Sequence, residues 1–312
     1  HTLFPRILNG FLLSLISSMS YSIMSKLGIP FKVAKRSSII LGCMPIMVYI
    51  SSHTFRDITI IFLLVLLLYY ITCEMRSIWD LRKLLITTAI AYISLLYIYE
   101  SRPVFAPVTI LFLLVVLYWK FGFQSEMKSL STSNLTRLIL FAVGAVAFIG
   151  FSFQTIAEKF FWYTSTYSDY ILSESTGLGR YVFEQPLLPF GLAARLLYLS
   201  VYPLPVLSSE VERLLLSLGT AIQIIYLPFL LTGAFQMMKQ KLFHIPIAFT
   251  LFFVGVASTT FTFRHIVLFY PFAFIMIVYG QETTPEKKAT EKKLGMVMSL
   301  TFFAVVYLLL KA

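Results

Sequence analysis

Apolar runs recur along the whole chain, separated by polar connections that are mostly short. A bilayer core about 30 Å thick needs roughly 20 helical residues, and flanking aromatics can complete a shorter run. On that measure the pattern predicts ten spans: residues 7–25, 37–52, 58–73, 84–99, 104–119, 138–156, 212–235, 242–260, 264–280 and 294–310. They are read as helices, because backbone in lipid must satisfy its own hydrogen bonds. Serines and Pro45 interrupt the first two. The expected fold is all-α, a polytopic transmembrane helix bundle forming a single domain over residues 1–312. One connection breaks the pattern. Residues 157–211 form a long outer loop whose aromatic content argues against disorder. Its apolar part, 190–207, is broken by Pro203 and Pro205 and follows Pro189, so an interfacial or re-entrant helix is expected there. The stretch QETTPEKKATEKK, 281–293, reads as a polar linker before the last helix.

Composition agrees with the pattern. The chain is 58% hydrophobic and 12% charged, where a soluble domain carries roughly 25% charge. The formal charge of +11 suggests nucleic acid at first, but there is no folded basic domain to carry that role. The basic residues sit in loops instead, and the loops alternate in kind. One set holds sixteen of the 25 basic residues, twelve of them lysine, including Lys26, Lys83, Lys120, Lys241 and Lys292. The positive-inside rule makes this side cytoplasmic, which leaves the sequon NLT at 134–136 unglycosylated. The other side has nine basic residues, and seven are arginine. A topology signal is indifferent to the kind of cation. Anion recognition is not: guanidinium is a planar fork that grips phosphate or carboxylate with two bonds at once. Cys43 and Cys73 form no zinc spacing and no disulfide framework. The chain opens at His1, and a segment before it is expected.

Four constellations on the arginine side bear on function. In TTFTFRHIVLFYP (259–271), Arg264 either snorkels to the headgroups or points into a cavity, with His265 as its partner or proton carrier. In YESRPVFAP (99–107), Arg102 either pairs with Glu100 at the surface or is presented as a fixed guanidinium by a turn locked by Pro103. In TGLGRYVFEQPLLPFGLAAR, Arg180, Glu184 and Arg195 either belong to a surface helix or contribute to an anion site. Nearby Trp162, Tyr163 and Tyr181 are either an interfacial belt or the flat faces of a glycan groove. In HTFRD (53–57), Arg56 and Asp57 are expected to pair at a helix end. No phosphate-binding loop, zinc-protease motif, nucleophile elbow or dinucleotide fingerprint appears. Without a DxD-like carboxylate cluster, neither a metal nor a cofactor is expected. No charge lies in the middle of a confident span, which counts against an ion-coupled pump.

The layout of spans, the single late outer loop, and the outer arginines in ESRP, GLGRY and FRHIVLFYP resemble bacterial O-antigen-type polysaccharide polymerases. More distantly they resemble the GT-C class of membrane glycosyltransferases. The resemblance implies glycosyl transfer on the outer face of the bacterial plasma (inner) membrane. Repeat units linked to undecaprenyl diphosphate would be polymerised into O-antigen, capsule or exopolysaccharide. Arg102, Arg180, Arg264 and also Arg195 would hold the diphosphate, and His265 or Glu184 would act as base. Trp162, Tyr163 and Tyr181 would line the glycan. Membrane lipids and a chain-length regulator protein are the implied partners. The acidic residues that GT-C enzymes often carry in the first outer loop are not seen. Three alternatives stay open: a GT-C transferase using a polyprenyl-phosphate sugar, a lipid-linked oligosaccharide flippase or other transporter, and a structural or accessory membrane protein.

Overall fold

The computed structural model describes residues 3–53, 56–74, 81–103, 105–120, 158, 178–186, 190–201, 211–259 and 263–311. Among them the protein is all-α, with no strand. The predicted span 138–156 lies outside the described residues.

The chain opens with α1 (Leu3–Lys26), α2 (Phe31–Gly42) and α3 (Pro45–Ser52). Gly28 ends α1 in the left-handed region, φ 86°. The Ile29 amide reaches back to the Met24 carbonyl at 3.1 Å, closing a Schellman turn. Pro45 cannot continue α2, so it begins α3, and the pair bends by 46°. The interruption expected at Pro45 is therefore a broken helix. Next come α4 (Asp57–Tyr69), which runs on as a π-turn through Glu74, α5 (Leu81–Ser101) and α6 (Phe105–Tyr118).

Two short helices follow, α7 (Leu178–Glu184) and α8 (Leu192–Val201). At 1.5 Å per residue α8 is about 15 Å long, half of what a crossing needs. The second half of the bundle comprises α9 (Val211–Lys239), α10 (His244–Thr259), α11 (Phe263–Ile266) with a 3₁₀ turn over Val267–Phe269, α12 (Tyr270–Glu282) and α13 (Glu286–Lys311). The expected linker 281–293 is largely helix. Only Thr283 to Pro285 interrupt, and the Ala289 amide already bonds the Pro285 carbonyl at 2.9 Å. The lysines and glutamates that suggested a linker are good helix formers, and two of them have somewhere to go. Lys292 donates to the Thr232 hydroxyl at 2.8 Å, and the Lys293 ammonium sits 5.2 Å from the Tyr226 ring centre.

By length and composition, Leu3–Lys26, Asp57–Glu74 and Leu216–Lys239 are each able to cross a membrane, and the bent α2–α3 pair makes a fourth candidate. Four shorter apolar helices, Leu85–Ser101, Phe105–Tyr118, His244–Ser258 and Val267–Glu282, also belong to the described bundle. α1 packs on α2, α3 and α4, and α6 packs on α10. Phe112, Phe252 and Phe272 are fully buried, with ring centres 5.6–5.7 Å apart, and tie α6, α10 and α12 together. α9 and α12 touch backbone to backbone. A Cβ added at Gly233 would stand 1.9 Å from the Met276 carbonyl oxygen, and one at Gly280 would stand 2.1 Å from that of Phe229.

The loops collect at two ends. At the lysine end, Trp119 Nε1 donates to the Lys241 carbonyl at 2.9 Å, Lys120 to the Thr72 carbonyl at 3.2 Å and Lys83 to the Glu74 carbonyl at 2.7 Å. Lys241 there takes φ 61°, closing the end of α9 through a 2.8 Å bond from the Leu242 amide to the Met237 carbonyl. A side chain in that conformation costs about 1 kcal/mol or more, whereas glycine pays little. Lys241→Gly should therefore raise the Tm of the detergent-solubilised protein by a few degrees. An unchanged or lower Tm would contradict the strain reading.

Candidate functional site

The arginine end is built around Arg102 and Asp57. Asp57 sits in the first turn of α4, where a carboxylate suits the helix dipole. Arg102 follows the last residue of α5. Its amide bonds the Ile98 carbonyl at 2.6 Å, and its own carbonyl accepts from the Phe105 amide at 2.9 Å, so the turn closed by Pro103 is short and fixed. The guanidinium Nη2 donates to Asp57 Oδ1 at 3.3 Å, with the side chains 6% and 1% exposed. Both local pairings anticipated for these residues give way to this one: Arg102 meets Asp57, 45 positions away, rather than Glu100, and Asp57 faces Arg102 rather than Arg56. Arg102 is thus a buried cation, not a surface one.

α11 lies at the same end. The 3₁₀ turn after it packs on α4 and α10. A Cβ at Gly255, near the end of α10, would lie 3.3 Å from the Phe105 ring at the start of α6. His265 is buried at 1% exposure. The backbone of Arg264 belongs to α11, while its side chain lies outside the described residues.

α7 and α8 form a separate unit docked on α10 and α9. Arg180 is exposed and pairs with Glu184 one turn on, at 2.5 Å. Arg195 is half-buried with its guanidinium carbon 4.7 Å from the Phe183 ring centre, and it donates to the carbonyls of Phe183 and Gln185 at 3.1 and 3.2 Å. It ties the end of α7 to α8, and burial draws its ionisation below the ordinary arginine range. Tyr181 is 66% exposed. Trp162 and Tyr163 lie outside the described residues. The four candidate arginines therefore occupy different settings: Arg102 is buried in an ion pair, Arg180 is exposed in one, Arg195 binds carbonyls, and Arg264 stands in the helix of His265.

Sequence reasoning did not anticipate a groove of about 430 Å³ walled by α2, α8, α9, α10 and α12. Ile222, Leu230, Phe253, Phe269, Phe274 and Ile277 are among its apolar lining. Its polar lining includes Ser200, Gln223, Tyr226 and Tyr270. Near the arginine end, Tyr270 donates to Gln223 Oε1 at 2.6 Å, and Gln223 donates to the Ser200 carbonyl at 3.0 Å. Gln281 and Ser37 also line it. None of the candidate arginines belongs to the described lining. The constituent residues are scattered over five helices and resemble any lipid-facing stripe, so no local pattern marks them.

His244 carries no mark in the sequence either. It is fully buried at the lysine end, stacked 3.5 Å from the Trp119 ring centre, and neither ring nitrogen has a hydrogen-bond partner among the described residues. Among those residues no group of histidine, cysteine and carboxylate side chains is arranged to hold a metal ion. The chain matches no family model, and no curated protein or solved structure is significantly similar to it.

Proposed function

We propose that this chain is a membrane glycosyltransferase that polymerises oligosaccharide repeat units carried on undecaprenyl diphosphate, working at the arginine end of the bundle on the outer face of a bacterial plasma membrane. The observation that carries the reading is the segregation of cations. Arginine dominates the loops of one side and lysine those of the other, and Arg102 is held on the arginine side in a fixed, largely desolvated position by Asp57. A preorganised guanidinium in a partly dry setting is suited to the negative charge that grows on a departing diphosphate. Arg102 and Arg264 are assigned to that anion, with Arg180 and Arg195 on the docked α7–α8 unit as its outer contacts. The acceptor sugar attacks the anomeric carbon, the bond to the diphosphate oxygen breaks, and a base takes the hydroxyl proton. His265 is preferred for that role, because the Glu184 carboxylate is already engaged by Arg180 on an exposed helix.

The test uses charge-conserving changes. Arg264→Lys and Arg102→Lys keep a cation but lose the two-pronged geometry. Each is expected to abolish polymer formation while protein level and membrane insertion stay at wild-type values. Wild-type ladders on a polysaccharide gel from both variants would remove the reading.

A further inference from the structure

The groove reaches from Tyr270 to Gln281 on α12, about 16 Å along the helix axis. That is about half of a bilayer's hydrocarbon thickness. It opens sideways, since Ile40 and Leu231 on its border are 46% and 67% exposed. Among the described lining residues none is charged, and the Lys293 ammonium stands 5.2 Å from the ring of Tyr226, which lines it. A diphosphate brought inside would lose its hydration among mostly apolar walls, with none of the candidate arginines in the described lining to grip it, which is costly. A hydrocarbon chain would lose nothing and would gain close contact with aromatic and aliphatic walls.

The ends decide which chain belongs there. Toward the arginine end the groove is lined by Ser200 of α8, whose carbonyl accepts from Gln223, the partner of Tyr270. Arg195 lies five positions earlier on the same helix, about 7.5 Å along its axis, where it is tied to the Phe183 and Gln185 carbonyls at the end of α7. A lipid whose tail lay in the groove would thus lift its headgroup toward the cationic α7–α8 unit.

We infer that this groove is the seat of the polyprenyl tail of the diphosphate carrier, entered sideways from the membrane. The inference rests on the polymerase reading and adds where the carrier's lipid part is held. α8 then has two tasks: it lines the groove with Ser200 and presents Arg195 beside the head.

The test uses the full chain in phosphatidylcholine nanodiscs with undecaprenyl diphosphate carrying a photoactivatable diazirine in its tail. Crosslinks are expected on groove-facing residues of α9 and α12. Unlabelled undecaprenyl diphosphate should compete, and phosphatidylglycerol should not. Ala273→Trp should cut labelling about tenfold. Ile277→Phe, a milder filling change whose folding is checked by size-exclusion profile, should lower it in the same direction. Labelling spread evenly over lipid-facing helices would overturn the inference. So would equal competition by phosphatidylglycerol, which would make this the seat of an ordinary phospholipid from the side of Ser37. Polymer ladders from the wild-type protein separate the two readings. Ladders without groove labelling sink the tail site alone, whereas groove labelling without ladders from any lipid-linked repeat unit sinks the polymerase and leaves the tail site standing.

Discussion

Replacing Gly280 with valine is expected to leave no folded protein. The α9–α12 contact is the most extensive helix pair described, and it depends on two glycines that let the backbones meet. At Gly280 even a single Cβ would fall 2.1 Å from the Phe229 carbonyl oxygen and 2.6 Å from the Gly233 amide nitrogen. Both are backbone atoms, so no rotamer change relieves the clash and the helices must part. In a membrane, where apolar burial between helices gives little net drive, close backbone packing supplies much of the association energy. Separation would also pull apart the wall shared with the groove. Gly10→Ala is the control, because nothing lies within 4 Å of a Cβ there. In mid-helix that change should stabilise by roughly 0.5–1 kcal/mol. Fluorescence-detected size exclusion of the two variants checks the contrast. A monodisperse, wild-type-like profile for Gly280→Val would show that the crossing is looser than described.

Much of this architecture was legible in the chain because a bilayer imposes one simple demand, that each crossing segment be apolar and helical. Helices lie over the predicted segments that fall among the described residues, which leaves out 138–156, and lysine-bearing loops such as those around Lys83, Lys120 and Lys241 meet at one end. Span number was less legible: three described helices are long and apolar enough to cross, or four with the bent pair. What escaped was everything set by contact between distant segments. Arg102 and Asp57 each had a plausible neighbour a few residues away, and charge alone does not rank a local partner against one 45 positions off. The start of α13 is not marked in the sequence, because a charged stretch reads as a loop, although its lysines extend over Tyr226 and Phe229. Gly233 and Gly280 look like any glycines in apolar helices until their helices are seen to cross.

The ion pair at the arginine end allows a structural role to be separated from a functional one. Asp57→Ala removes the carboxylate facing a buried guanidinium, and taking one partner from a buried ion pair costs about 3–5 kcal/mol. The variant should accumulate poorly and melt well below wild type. Arg102→Met alone should be similarly damaging, since it strands Asp57 at 1% exposure. The double variant Asp57→Leu with Arg102→Met replaces the pair by apolar groups of related size, a change that is often neutral or stabilising. Its melting temperature should therefore recover most of what each single variant loses. Polymer formation should not recover with it, because no fork-shaped cation would then stand at that position to meet the diphosphate. Stability and activity thus part company in one protein. If the double variant made ladders of wild-type length, Arg102 would be only a tie between α4 and the α5–α6 turn, and the anion would have to be held by arginines elsewhere on that end.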